Sequence, residues 1–320
     1  MNQDVYVVIE HLQGTVADIS YIMLTAARDL AQKTSGQVVG VLLGYNAENL
    51  ASTLAADSVL YADHAALKEF SADAYQKTVA SLIQEKEPRV LLFGNTSIGA
   101  DVASVLSARL SLPLIGSCVQ ISDGKLISQI CGGKIMAESE LAETTTLITI
   151  IPGGYKAEEG QSENSPEVIS FDAPALDDLR IMLKSYIEPE AGDVDISKED
   201  FLISIGRGIQ TEDNIELADE LAEMLGGTVC ASRPIVDQGW LPTSRMVGKS
   251  GQTVKPKLYL ALGISGAPEH VEGMAGSEMI VAINMDPNAP IFDIATYGVE
   301  FDFFDLIDPL LEQVEEAAEG

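Results

Sequence analysis

Short, almost wholly apolar runs recur along this chain, each followed by a segment with helical spacing, and that alternation restricts the fold more than any other feature. Residues 5–9, 38–43, 58–61 and 89–93 read as strands. Residues 17–33 carry apolar side chains at Ile19, Ile22, Met23, Ala26, Ala27 and Leu30, one face of a helix. Residues 50–56 read as a short helix. A further helix starts from a Ser71 cap and runs to Glu85 before Pro88, and another follows residues 94–99 as far as Leu110. Strands with no polar alternation need cover on both faces, so a parallel sheet wrapped by helices is expected. From Pro113 the pattern turns to strands, at 115–121, 126–130, 134–137 and 145–151. The Asp123-Gly124 pair between the first two is a hairpin signal. Residues 153–166 are polar and expected as an exposed loop.

The segment 187–198, IEPEAGDVDISK, is rich in Pro, Gly and acid and has no period, which places a domain boundary inside it. The expected architecture is α/β: two doubly wound parallel-sheet domains, at 1–190 and 196–320, the first with an added antiparallel region and the second Rossmann-like. A chain of 320 residues suffices for two cores. The second half repeats the alternation: a strand at 201–205, a helix at 212–225, a strand at 228–231, and apolar runs at 258–262 and 279–283. The acidic segment after Asp302 reads as a solvated helix.

A hydrophobic content of 46% describes a folded protein, and a net charge of −30 sets the surface against nucleic acid and anionic membrane. Three cysteines without a CxxC pair suggest neither a zinc site nor a disulfide framework, which fits a reducing cytoplasm. Three scattered histidines offer no metal-ligand spacing. The N-terminal residues have no signal-like or Arg-rich pattern, and no apolar run approaches a membrane span, so a soluble protein without direct membrane insertion is expected.

The chemistry concentrates between Cys230 and Asp302. Residues 258–262 end in Gly263-Ile-Ser-Gly266 and then PEHVEGM: a buried strand, a glycine turn and a helix start, whose free N–H groups favour an anion. Arg233, Arg245, Lys249, Lys255 and Lys257 reverse the local sign of charge. Asn284-Met-Asp286-Pro287 lies at the carboxyl end of the next apolar run, on the ligand-binding edge of such sheets. Gly206-x-Gly208 and the turn at 94–99 are incomplete as phosphate-binding fingerprints; the first reads equally as a structural turn, and for the second the structural turn is the favoured reading.

The motifs SRPIVDQGW, VGKSG, LYLALGISGAPEHVEGM and IVAINMDPNAPIFDIATYG stand in order over roughly 120 residues. They resemble the FAD-binding C-terminal domain of the electron transfer flavoprotein alpha subunit, and the first half agrees in layout. The resemblance implies FAD as cofactor and a heterodimer with a beta subunit. It implies electrons arriving from flavin dehydrogenases such as acyl-CoA dehydrogenases and leaving to a membrane quinone reductase or another acceptor. It makes the chain an electron carrier rather than a substrate-converting enzyme. The first domain would contact the partner without a cofactor of its own, and whether the beta subunit holds AMP or a second flavin depends on that subunit.

By the same resemblance Arg233, next to Ser232, is the ring-contacting cation, Ser250 (with Lys249 and Gly251) the hydroxyl near N5, and His270 the donor at the N1–C2=O edge. Ser265 with the Gly263 and Gly266 backbone would meet the diphosphate, and Asn284 and Asp302 the adenosine end. Such groups matter because a flavoprotein tunes its flavin by the charges and hydrogen bonds around the ring. The chain departs from the common pattern at Lys249 and Met246, where glutamines are usual, and at Pro268-Glu269, where Ile-Gln is common. If Glu269 meets His270, the imidazole is expected to titrate near neutral pH. The alternatives are a nicotinamide-dependent dehydrogenase or a thiamine-type enzyme domain of similar fold, and a cofactor-free scaffold. The first of these needs a complete glycine fingerprint and an acidic ribose ligand, which the sequence lacks.

Overall fold

A computed structural model describes residues 2–122, 124–131, 135–186 and 194–319. The chain forms two compact units, Met1–Tyr186 and Ile187–Gly320. Asp123 of the expected hairpin turn, Lys134 at the start of an expected strand, and residues 187–193 of the expected boundary lie outside the described residues.

The first unit begins with β1 (Val5–Val8), then a small hairpin of β2 (His11–Leu12) and β3 (Thr15–Val16). Its turn residues Gln13 and Gly14 both have positive φ, 49° and 79°, as a tight two-residue hairpin requires. There follow α1 (Asp18–Thr34), β4 (Val38–Gly44), β5 (Ser58–Asp63), α2 (Ala72–Lys86), β6 (Val90–Gly94) and α3 (Ser97–Leu110). The unit closes with β7 (Leu114–Ser122), β8 (Lys125–Ile130), β9 (Ile135–Ser139), β10 (Thr146–Ile150) and β11 (Glu167–Ser170). The strands form one nine-stranded sheet in the order β11-β5-β4-β1-β6-β10-β7-β8-β9. All neighbours are parallel except β7–β8 and β8–β9, which make the expected antiparallel extension. Successive residues of β1 and Ile9 just after it feed two cores: Val5, Val7 and Ile9 pack under α1, while Tyr6 and Val8 pack under α2 and α3.

Several local expectations change. Residues 48–53 make a 3-10 turn in place of the helix expected at 50–56. Ser71 stands at the N-cap position of α2 but does not cap it, because its Oγ donates to Ile181 O at 2.9 Å. Thr96 does cap α3, accepting Gly99 N–H at 3.0 Å. β10 is no part of the antiparallel region: it lies between β6 and β7, parallel to both.

The second unit contains β12 (Phe201–Ile205), α4 (Ile215–Leu225), β13 (Thr228–Ala231), α5 (Arg233–Asp237), β14 (Leu258–Leu262), α6 (Pro268–Glu272), β15 (Met279–Asn284), β16 (Tyr297–Glu300) and α7 (Phe303–Glu319). The sheet is parallel throughout, in the order β13-β12-β14-β15-β16. Its direction of winding reverses between β12 and β14, the switch point at which open α/β sheets leave a crevice beyond their carboxyl ends. One face packs on α4 and α7. The other packs on loop residues including Val247, Val254, Ile264 and Ile291. The solvated helix expected after Asp302 is corrected: α7 buries Phe303 and Ile307 and packs Leu310, Leu311 and Val314 on the same core, a stripe at helical spacing beneath acidic neighbours.

Candidate functional site

Three segments converge beyond the carboxyl ends of β12, β13 and β14. β13 leads into Ser232 and Arg233, and Ser232 N–H donates to Ile205 O at 3.0 Å, which ties the start of α5 to the end of β12. Met246 bridges Ala231, and Val247 N–H donates to Ala231 O at 2.9 Å, so the segment carrying Lys249, Ser250 and Gly251 is laid beside the same edge. That segment closes on itself through Gln252 N–H to Met246 O at 2.7 Å. It also docks on α6 through Lys249 N–H to Glu269 O at 2.7 Å.

The glycines keep these backbones in contact. Gly263 has φ 62°, and a Cβ there would stand 2.5 Å from Gly208 Cα. A Cβ on Gly206 would reach Gly263 O at 2.5 Å. Gly206-x-Gly208 therefore serves the packing of β12 against the turn after β14, and Gly208 N–H donates to Gly263 O at 3.1 Å.

What this turn leaves open is a row of donors. Among the described residues, the N–H groups of Ile264, Ser265, Gly266 and Ala267 meet no protein acceptor, and Ile264 and Gly266 are buried. Backbone N–H groups of buried residues are nearly always paired, so the orphans at Ile264 and Gly266, within a run of four free donors at the carboxyl end of a central strand, suit an anionic ligand such as a diphosphate. Ser265 is exposed beside them. Asn284 supports the turn from β15: its Nδ2 donates to Ile264 O at 2.8 Å, and its Oδ1 accepts Asp286 N–H at 2.9 Å. Asp302 caps α7, with Oδ1 accepting Phe304 N–H at 3.0 Å. Arg233 follows β13 at one edge of the sheet and Asp302 follows β16 at the other, four inter-strand steps or roughly 19 Å apart. Only an elongated ligand could touch both.

The cations are exposed and each is held by one exposed ion pair. Arg233 is 68% exposed and pairs with Asp237 at 3.3 Å, one turn along α5. Lys249 is 51% exposed and pairs with Glu272 at 3.3 Å. Exposed pairs of this kind hold their partners weakly. Ser250 is exposed.

His270 lies deeper, only 6% exposed. Its Nδ1 is 3.1 Å from Val247 O and its Nε2 is 2.9 Å from the Tyr259 hydroxyl, which lies 2.7 Å from Ser204 Oγ. Burial lowers its pKa to about 4, opposed only by the bond to Val247 O, so the imidazole is neutral. Glu269 points to solvent and is no cause of that shift, which overturns the expected titration near neutral pH. Tyr259 and Ser204 were not among the residues expected here, and they lie 11 and 66 positions before His270 in sequence. Beside them the wholly buried Cys230 is pushed up to about 12 by burial and stays a thiol.

Fold and site together define a tandem α/β protein whose second sheet carries a row of unpartnered N–H donors at its carboxyl edge. A family model for the electron transfer flavoprotein domain matches residues 5–176, and one for the electron transfer flavoprotein FAD-binding domain matches residues 195–275. The chain is 37% identical to an electron transfer flavoprotein subunit alpha of Thermoanaerobacterium thermosaccharolyticum, over 98% of both chains. It is 34% identical to the subunit alpha of Bacillus subtilis, again over 98% of both. A protein of Acetobacterium woodii named lactate dehydrogenase (NAD(+),ferredoxin) subunit LctC is 32% identical over 97% of this chain and 76% of its own length. The chain belongs to the electron transfer flavoprotein alpha-subunit family.

Proposed function

We propose that this chain binds FAD along the carboxyl edge of its second sheet and works as the alpha subunit of a heterodimer. The beta subunit is its partner, flavin dehydrogenases of the acyl-CoA dehydrogenase type supply electrons, and a membrane quinone reductase or another acceptor takes them. The reading places it in the cytoplasm as an electron carrier, with the first unit contributing subunit contact. Among the described residues no helix is long and apolar enough to cross a membrane. The observation that carries the reading is the run of four unpartnered N–H groups at residues 264–267 inside a family FAD-binding domain.

FAD, when bound, supplies one- and two-electron redox chemistry. The protein's own part is to hold and tune it. The N–H groups at 264–267 would receive the diphosphate, with Ser265 as a hydroxyl donor. Arg233 brings a positive charge that can leave Asp237 for the ligand, and Lys249 adds a second. Ser250 offers a hydroxyl on the exposed turn of the 246–252 segment. His270 has both ring nitrogens engaged, by Val247 O and the Tyr259 hydroxyl, so in this structure it has no N–H left for the N1–C2=O edge as the resemblance implied, and it contributes a fixed neutral dipole. The test is co-purification with the beta subunit. The proposal expects stoichiometric FAD assignable to this chain, lost when residues beyond 195 are removed. A pair that stays fully loaded without them contradicts it.

A further inference from the structure

We infer that Tyr259 is a positioning residue for His270, its hydroxyl fixing the imidazole as the Nδ1–H tautomer in one ring orientation. The inference rests on the proposed cofactor site only for its consequence, since the geometry stands without a ligand. Val247 O can only accept, so the nitrogen 3.1 Å from it carries a proton. In a neutral imidazole the other nitrogen then holds a lone pair. The Tyr259 hydroxyl at 2.9 Å is its donor. The oxygen–oxygen geometry at 2.7 Å suits Tyr259 as donor to Ser204, but a hydroxyl has one proton to give; with Nδ1–H held by Val247 O and the imidazole neutral, that proton goes to Nε2 and Ser204 turns its own toward Tyr259. The order runs Ser204 to Tyr259 to His270 to Val247 O, and it joins β12, β14, α6 and the 246–252 segment by side chains buried in the second core.

No charge faces this chain of bonds. From β14 comes the Tyr259 phenol, whose pKa burial raises well above its ordinary value, and from β13 the Cys230 thiol. Arg245, on the segment before Met246, acts on Cys230 but is not a cause of the His270 shift. Glu269 and Glu272, on the same short helix as His270, are exposed, and Glu272 is engaged by Lys249. A proton added to His270 would need an acceptor at Nε2, which Tyr259 can offer only by turning its own proton to Ser204. His270 thus acts on the neighbouring site as an oriented neutral dipole, and the group that sets it is the second residue of β14, away from the strand's carboxyl end.

The experiment compares wild type, Tyr259→Phe and Ser204→Ala in the heterodimer. It reads nitrogen NMR of the His270 imidazole and the flavin midpoint potential between pH 5 and 8. Wild type should show a single Nδ1–H tautomer throughout the range. Tyr259→Phe should lose the hydrogen-bond shift at Nε2 and move the potential while FAD content is kept, with Ser204→Ala giving a smaller shift of the same sign. A wild-type Nε2–H tautomer, a charged imidazole at neutral pH, or variant imidazole spectra superimposable on wild type would overturn the inference. If Tyr259→Phe does not fold, the wild-type tautomer and Ser204→Ala decide. If the protein carries no flavin, the proposed function fails while the NMR result still decides this inference.

Discussion

At the scale of single residues, Arg233 and Gly263 make opposite kinds of contribution. Arg233 spends little on the fold, since its pair with Asp237 is exposed on both sides. Arg233→Ala should leave stability within about 0.5 kcal/mol. It should also lower the flavin potential by about 30 mV or more, roughly 0.7 kcal/mol for one electron, as removal of a nearby cation predicts. Denaturant midpoints and redox titration together check this, and an unchanged potential with FAD bound removes the assigned role. Gly263 is the reverse case. Its φ of 62° and the 2.5 Å approach to Gly208 Cα leave no room for a methyl group. Gly263→Ala should cost about 2 kcal/mol or more, from left-handed strain plus displacement of β12. A midpoint in urea equal to wild type would show that the two turns can separate freely.

At the scale of elements, the sequence was informative where burial is two-sided. β1, β4, β6, β12 and β14 are apolar at nearly every position because helices or loops cover both faces, and a run of that kind has few other readings. The strands that escaped sequence analysis are those with an open side. β11 and β16 are sheet edges with mostly exposed residues, and β2 and β3 are two residues each, so none carries an apolar run. α7 misled in the other direction: acidic residues surround its stripe and make the whole segment look solvated. Phe303 is 4% exposed in the core shared with α4. Phe303→Ala should therefore destabilise the second unit by about 3–5 kcal/mol, readable from the fluorescence of Trp240, which packs on the same core. A loss under about 0.5 kcal/mol would mean that α7 is a surface helix after all. For the candidate site, Arg233, Lys249, Ser250, Ser265 and His270 could be put forward by motif. The network behind His270 could not, because Ser204, Tyr259 and Val247 reach it only once β12, β14 and the 246–252 segment are brought together.

At the scale of the molecule, the two units carry buried titratable groups with opposite pH responses. In the first, Glu10 is 4% exposed between β1 and the turn into α3, and Thr96 Oγ1 lies 2.9 and 2.8 Å from its two carboxyl oxygens. Burial raises its pKa to about 7, against the hydrogen bonds from Thr96 and Gly94. A raised folded pKa means that the stability it contributes is fully present below about 4.5 and is lost as pH rises through about 7, on the order of 3 kcal/mol in all. In the second, His270 is depressed to about 4 from 6.5, so its contribution is full above 6.5 and is lost as pH falls through 4, again on the order of 3 kcal/mol. Between those limits the first unit weakens as pH rises and the second strengthens. Hydrogen exchange of β1 and β6 in wild type and Glu10→Gln reads the first slope, which the variant should flatten. Trp240 fluorescence reads the second. Identical slopes in Glu10→Gln and wild type would show that the carboxyl is ionised in the folded protein.

The proposed function depends on the turn after β14 holding the cofactor. Hydrogen exchange at residues 264–267, followed in the heterodimer before and after FAD is restored, tests it where it is made. Those amides have no protein acceptor and should exchange fast without FAD, then become the most strongly protected in the second unit once FAD binds. Stoichiometric FAD uptake with no added protection at 264–267, or with protection at the turn 94–99 of the first unit instead, would contradict the account.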